Sequence, residues 1–356
     1  MILLLISVFG LAAVNSDILH LKEGAECKTL DGSRGTCTQR SQCLTIEDIM
    51  RVRSVICSFK GFELIICCPP KVTARVIQGN KVEQYCTQLN HRYQNIQEVN
   101  KVLGGRESAP RTHTYMVLIG YKTTKEWRCG GTLITESYVL SAAHCSHPYE
   151  LGPARWARLG ELDISSSSDD AKPVDRTIDK RIPYPSYKAS QPYHDIALFK
   201  LDSAVVFSTY IYPICLHTNR DITSKIATAM GWGRTSGRGS TSKKLLEVNI
   251  DVYNDTECMR FMHSGWVRIL FRWDSDADQI ICAGLPDGSK DTCEGDSGGP
   301  LAVLDPGKRI RTQIGITSFG KQCGNKDYPD SPGVYTRVSN YISWIEEVAF
   351  GDGNIS

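Results

Sequence analysis

Residues 291–300, DTCEGDSGGP, gather a hydroxyl, acids, a cysteine and glycines into one short loop. Ser297 is the candidate nucleophile. A serine hydroxyl attacks a carbonyl poorly unless a base takes its proton and fixed donors receive the charge developing on the carbonyl oxygen. Gly295, Gly298 and Gly299 permit a tight turn there, so the N–H groups of Gly295 and Ser297 can aim at one spot as an oxyanion hole. The chain also carries His144 in the motif AAHC and Asp195 in DIAL. Any one of these residues alone reads as an ordinary polar side chain; in register they read as acyl-transfer chemistry.

Together with KVLGG at 101–105, these motifs resemble the trypsin-like serine proteases of the chymotrypsin family. The resemblance makes His144 the base and Asp195 the group that holds its tautomer; the order His, Asp, Ser is that family's order, whereas nucleophile-elbow hydrolases run Ser, Asp, His and subtilisins run Asp, His, Ser. The resemblance covers residues 102–356 and implies an all-β fold, two six-stranded antiparallel β-barrels with His144, Asp195 and Ser297 in the cleft between them. Short segments of alternating apolar residues separated by Gly, Pro and Ser turns suit such barrels, and residues 341–350, with Trp344, Ile345 and Val348 on one face, read as a closing C-terminal helix.

The same resemblance makes Lys101 the activation site, since cleavage after it would free an ammonium on Val102. Asp296, beside the nucleophile, needs a cation if it is to be buried, because an unpaired buried carboxylate costs several kcal/mol. Val102 and Leu103 stand where the family commonly begins IVGG, and both are apolar. Asp291, six positions before Ser297, lies where relatives that cleave after Arg or Lys carry a pocket acid, with Gly320 and Gly333 at the pocket wall and Thr292 adding a hydroxyl. Residues 318–320 are expected to present an edge strand to the substrate backbone, Phe319 replacing the usual Trp.

The apolar run 1–16 is shorter than the roughly 20 residues that span a bilayer. It reads as a secretory signal peptide, the alternative being a buried strand. Fourteen cysteines, an even count, agree with a secreted, disulfide-bonded chain. The formal charge of +2 argues for neither nucleic acid nor an anionic membrane as a partner. A chain of 356 residues favours two or more domains. Cys27, Cys37, Cys43, Cys57, Cys67 and Cys68 form a block too short for an adequate apolar core, so bridges must stabilise it. Six cysteines allow 15 connectivities. The block at 27–68, ending in CCP, resembles the clip domain of arthropod serine proteases, which implies Cys27–Cys67, Cys37–Cys57 and Cys43–Cys68. Such a module is expected to dock a partner or its own protease domain; residues 46–53 (IEDIMRVR) read as a solvated helical turn.

Residues 69–101 read as an exposed linker ending at the activation site. By family pattern Cys129 pairs with Cys145, Cys258 with Cys282 and Cys293 with Cys323. The remaining Cys86 and Cys215 would tie the clip fragment to the catalytic chain after cleavage. The loop between Cys258 and Cys282, with Phe261, Trp266, Arg268, Phe271, Arg272 and Trp273, is either an exosite or a self-packed aromatic loop. Glu161, near Asp169 and Asp170, stands where relatives can begin a calcium loop; no cofactor is otherwise expected. Asn254 and Asn354 lie in glycosylation sequons. The expected function is a secreted zymogen that cleaves after Arg or Lys in a downstream proprotein of an extracellular cascade, immune or developmental. An upstream activating protease and serpin-type inhibitors would be its other partners. A clip-bearing binding protein with an inert protease scaffold is the alternative, opposed by the presence of all three triad residues; the clip block opposes a digestive enzyme.

Overall fold

The structure is a computed structural model that describes residues 21–28, 34–39, 55–60, 63–68, 80–93, 106–191, 193–234, 239–262, 277–285, 295–305, 308–320 and 332–351. The signal peptide at 1–16, the turn at 46–53, Lys101, Val102, residues 263–276, Asp291, Thr292 and Asn354 lie outside them, as do Cys43, Cys293 and Cys323. The chain divides into two compact units, residues 1–78 and 79–356.

The first unit is an antiparallel sheet of β1 (Glu26–Lys28), β2 (Arg34–Gln39), β3 (Ile56–Lys60) and β4 (Glu63–Cys68), in the order β1-β2-β4-β3. Its core is largely sulfur. Cys27–Cys67 and Cys37–Cys57 bridge the strands, and Cys37 and Cys57 are wholly buried beside Ile65. Cys68 is also disulfide-bonded. Gly35 has to be glycine, because a Cβ there would lie 2.3 Å from the Cys68 carbonyl oxygen and 2.8 Å from Cys67 Sγ.

In the second unit a two-residue strand, β5 (Arg106–Glu107), precedes the first barrel. That barrel closes from β6 (Met116–Tyr121), β7 (Glu126–Leu133), β8 (Tyr138–Ser141), β9 (Ala154–Leu159), β10 (Val174–Pro183) and β11 (Ala197–Leu201), in the order β10-β11-β8-β7-β6-β9. Val117, Ile119, Leu133, Val139, Leu140, Leu159 and Phe199 are buried in the core cluster that contains it.

After β12 (Cys215–Leu216) the second barrel uses β13 (Ile226–Gly231), β14 (Leu246–Val252), β15 (Ile280–Gly284), β16 (Pro300–Val303), β17 (Thr312–Phe319) and β18 (Gly333–Arg337). The path β17-β16-β13-β14-β15-β18 closes through pairing of β17 with β18; β12 adds in parallel to β17, and β5 pairs with β14. Both barrels are therefore closed, six-stranded and antiparallel, as expected.

Three α-helices complete the described residues: α1 (Lys81–Tyr93), α2 (Asp255–Met262) and α3 (Ile342–Ala349). The last is the expected closing helix, with Ile342, Ile345 and Ala349 buried and Trp344 and Val348 half-buried against the core. α1 departs from the sequence reading, which has only an exposed linker there. Asn80 caps it, its Oδ1 accepting the Val82 N–H at 3.0 Å. Val82, Tyr85, Cys86 and Leu89, spaced i, i+3, i+4 and i+7, are buried in the core of the second unit, to which α1 belongs. A helical period is thus present, confined to two turns and diluted by polar residues on the other faces.

Four further contacts hold α1. Cys86 is bridged to Cys215, and the Tyr212 hydroxyl donates to the Leu89 carbonyl at 2.8 Å. Tyr85 donates to Glu136 at 3.1 Å, and its ring meets Phe350 edge-on at 5.3 Å. Truncating Leu89 leaves a cavity in this face, so Leu89→Ala is expected to cost about 2–5 kcal/mol, read as a lowered unfolding midpoint in a denaturant titration of the catalytic unit.

Candidate active site

His144 sits on the single 3-10 turn Ala143–Cys145 that follows β8. Buried Ala142 and Ala143 let this turn pack closely, and the Cys129–Cys145 bridge ties it to β7. Asp195 lies just before β11 and is only 4% exposed. One carboxylate oxygen accepts the His144 backbone N–H at 2.9 Å; the other is 2.7 Å from His144 Nδ1 and accepts the Ser318 hydroxyl. The Thr336 hydroxyl donates to the Asp195 carbonyl at 2.9 Å. His144 and Asp195 are thereby brought together across residues 51 apart in sequence.

Burial works against the charge on Asp195, but the His144 charge and the hydrogen bonds from His144 and Ser318 outweigh it and hold the carboxyl below its ordinary value. At His144 burial likewise disfavours the cation. The Asp195 charge and hydrogen bond prevail and raise the imidazole above 6.5. The His144 side chain keeps 35% of its surface, so its desolvation penalty is partial, which strengthens that direction. Burial, and then the Asp195 charge, push the nearby Tyr187 hydroxyl up to about 12.

Ser297 is carried to the histidine turn by main-chain contacts. The Gly130 N–H donates to the Ser297 carbonyl at 2.8 Å, and the Ser141 hydroxyl donates to the Gly130 carbonyl at 2.8 Å. Gly298, at φ +80°, lies so close that a Cβ would sit 2.2 Å from Ser141 Oγ and 2.5 Å from the Gly130 oxygen. Gly295 also takes a positive φ of +100°, a conformation that favours glycine. The loop closes on itself through Gly299 N–H to Asp296 O, 2.8 Å, and locks to β17 through Gly298 N–H to Thr317 O, 2.8 Å.

The Asp296 side chain turns towards the segment after β13. Its Oδ1 accepts the Gly233 N–H at 2.8 Å. A Cβ on Gly231 would lie 2.1 Å from that oxygen, and one on Gly233 2.5 Å from the carboxyl carbon. Gly130, Ser141, Gly231 and Gly233 are therefore site residues that the sequence reading did not single out. Their only signals are the glycines of Cys129–Gly130–Gly131 and of Gly231–Trp232–Gly233, within or beside strands where glycine otherwise costs stability. Ser318 was expected only as part of an edge strand; its hydroxyl also donates to Asp195.

Gly320 follows the end of β17 and Gly333 begins β18. Cys258–Cys282 bridges α2 to β15. Glu161 is buried, and burial pushes its carboxyl up. Its Oε1 accepts the Leu162 N–H at 2.9 Å, and its Oε2 lies 3.3 Å from Arg158, whose guanidinium also grips Asp175 at 2.7 and 3.0 Å. Asp170 pairs with Arg111 at 2.7 Å. A calcium ion needs 6–8 oxygen ligands, and here Arg158 already contacts the central carboxylate.

The trypsin family profile matches residues 102–345, more than half of the chain. The chain is 30% identical to the venom serine protease Bi-VSP of Bombus ignitus, over 95% of this chain and 96% of that one. It is 34% identical to the serine protease snk of Drosophila melanogaster (93% and 80%) and 30% identical to the phenoloxidase-activating factor 1 of Holotrichia diomphalia (93% and 95%).

This chain is a clip-domain serine protease of the trypsin family.

The protease is accordingly a serine endopeptidase, and its Asp296 cradle gives a direct test. Gly233→Ala cannot coexist with the observed carboxylate position, so the Asp296 side chain beside Ser297 must move. Hydrolysis of a peptide amide by the protease should fall roughly 10²-fold or more, the scale of losing one oxyanion donor.

Proposed function

We propose that this protease is a zymogen, activated by cleavage after Lys101, that cleaves after Arg or Lys in another proprotein. In the active form Ser297 attacks the scissile carbonyl while His144 takes its proton and later returns it to the leaving amine. Asp195 holds the imidazole with its Nδ1 proton inward, leaving Nε2 for the serine. The N–H groups of Gly295 and Ser297 receive the developing oxyanion. The observation that carries this reading is the doubly anchored Asp195–His144 pair, set across a glycine-packed contact from the loop of Ser297.

Activation is supported by a reach argument. Val102 lies four residues before Arg106, and an extended run of that length covers about 14 Å. From β5 across β14 to β13 is two strand spacings, about 10 Å. A new ammonium on Val102 is thus long enough to meet Asp296 beside Gly231. Specificity for Arg or Lys rests on Asp291 together with Gly320 and Gly333; a buried acid left unpaired by a neutral side chain discriminates strongly.

The clip fragment would remain attached through Cys86–Cys215. Secretion is favoured by the apolar run 1–16 and the disulfide content, and among the described residues no helix is long and apolar enough to cross a membrane. An upstream protease, a proprotein substrate and serpin-type inhibitors are the partners this reading names. Because Arg158 serves Glu161, calcium is not required, and a chelator should leave the unfolding midpoint unchanged.

The uncut precursor should hydrolyse Arg and Lys amides far more slowly than protein processed at Lys101, and Ser297→Ala should abolish the processed activity. A fully active precursor would refute the zymogen reading. The base must be neutral, and His144 is raised, so kcat/KM of the processed protease should decline on acidification through a pH above 6.5. A pH–rate profile measures that limb.

A further inference from the structure

We infer that His113 and Glu247, which touch neither substrate nor triad, form a positioning pair that sets where the processed N-terminus meets Asp296; this deepens the activation reading and rests on it. The residues of β14 pair on one side with β5 and on the other with β13, giving two rows across three strands: Arg106, Glu247, Met230 and Glu107, Leu246, Gly231. The second row ends on the glycine beneath Asp296. Ser108 N–H to Leu245 O, 2.9 Å, and Lys244 to Glu107, 2.9 Å, extend the grip on the segment that follows the cleavage site.

Glu247 is the anomaly in this ladder. It is an acid whose side chain is only 11% exposed, and its Oε2 lies in close contact with Nε2 of His113, a ring with no exposed side-chain surface. His113 Nδ1 is 2.9 Å from the Tyr115 hydroxyl, and that hydroxyl lies 3.2 Å from Met230 Sδ. Met230 is the ladder partner of Glu247 itself. The contacts therefore run from β14 through His113 and Tyr115 back to β13, closing a ring that locks the two strands in one register.

A buried polar contact of this kind is weak evidence of stability; its best-attested use is to specify register. Register matters at this point because a one-residue slip reverses every side-chain direction. It would remove Gly231 from beneath Asp296 and move the β5 anchor by one strand step, about 3.3 Å, relative to the acid. The groups facing His113 are Glu247, Tyr115 and the more distant Arg311. Burial, reinforced by Arg311, keeps its proton affinity low despite Glu247.

The test compares wild type, Glu247→Gln and Tyr115→Phe as full-length protein, each before and after cleavage at Lys101. Both substitutions keep shape and change hydrogen bonding. If the pair positions the new terminus, processed Glu247→Gln should lose about tenfold in kcat/KM on an Arg amide, a loss of transition-state stabilisation. Its alkaline limb should also move to lower pH, because a less well held ammonium loses its proton sooner, while the uncut precursor keeps its thermal midpoint. Tyr115→Phe should move the limb in the same direction. An unchanged limb in both variants would overturn the inference, as would equal losses of thermal midpoint in cut and uncut protein with the limb unmoved. Wild type that gains no activity on cleavage would overturn the activation reading itself, an outcome visible without either variant.

Discussion

A buried carboxylate that needs donors from two barrels organises this molecule. Asp195 enters from the first barrel almost without solvent, and a charge so placed is tolerated only when its hydrogen bonds are filled. His144, from the same barrel, supplies a backbone and a ring contact; Ser318 and Thr336, on β17 and β18 of the second barrel, supply a hydroxyl to the carboxylate and one to the carbonyl. The acid is therefore fully partnered only when both barrels are in place. Docking of the two barrels and orientation of the imidazole are coupled through this one carboxylate.

The second constraint is steric. Ser297 reaches the histidine turn because Gly298 and Gly130 carry no side chains at the crossing, and Asp296 finds its place because Gly231 and Gly233 leave one. At Gly298 an added methyl group would meet the Gly130 carbonyl and the Ser141 hydroxyl; at Gly231 and Gly233 it would meet the Asp296 carboxylate. Such contacts have two discrete outcomes, seated or not, and this is the property that an activation switch at Asp296 would exploit.

The segment before the protease domain shows how packing overrides composition. α1 is predominantly polar, and isolated helices of about 12–15 residues or fewer are marginal in water. Burial of Val82, Tyr85 and Leu89, with the bridge to Cys215, supplies what propensity does not. The part of the chain that would become the clip fragment thus contributes a packed element to the catalytic unit, beyond a covalent tether.

Chemistry and order were readable in the sequence: the order of His144, Asp195 and Ser297 in their motifs and the even cysteine count came from the residues, and the two closed barrels from the family resemblance those motifs carry. These are properties of local sequence, where a motif carries its own reason. The cradle of Gly231 and Gly233, the Ser318 bond to Asp195, the guanidinium at Glu161 and the docking of α1 were decided only in three dimensions. In each, the partner lies far away in sequence or the signal is a lone glycine or a two-turn period, and a chain written in one dimension does not say which distant surfaces will meet.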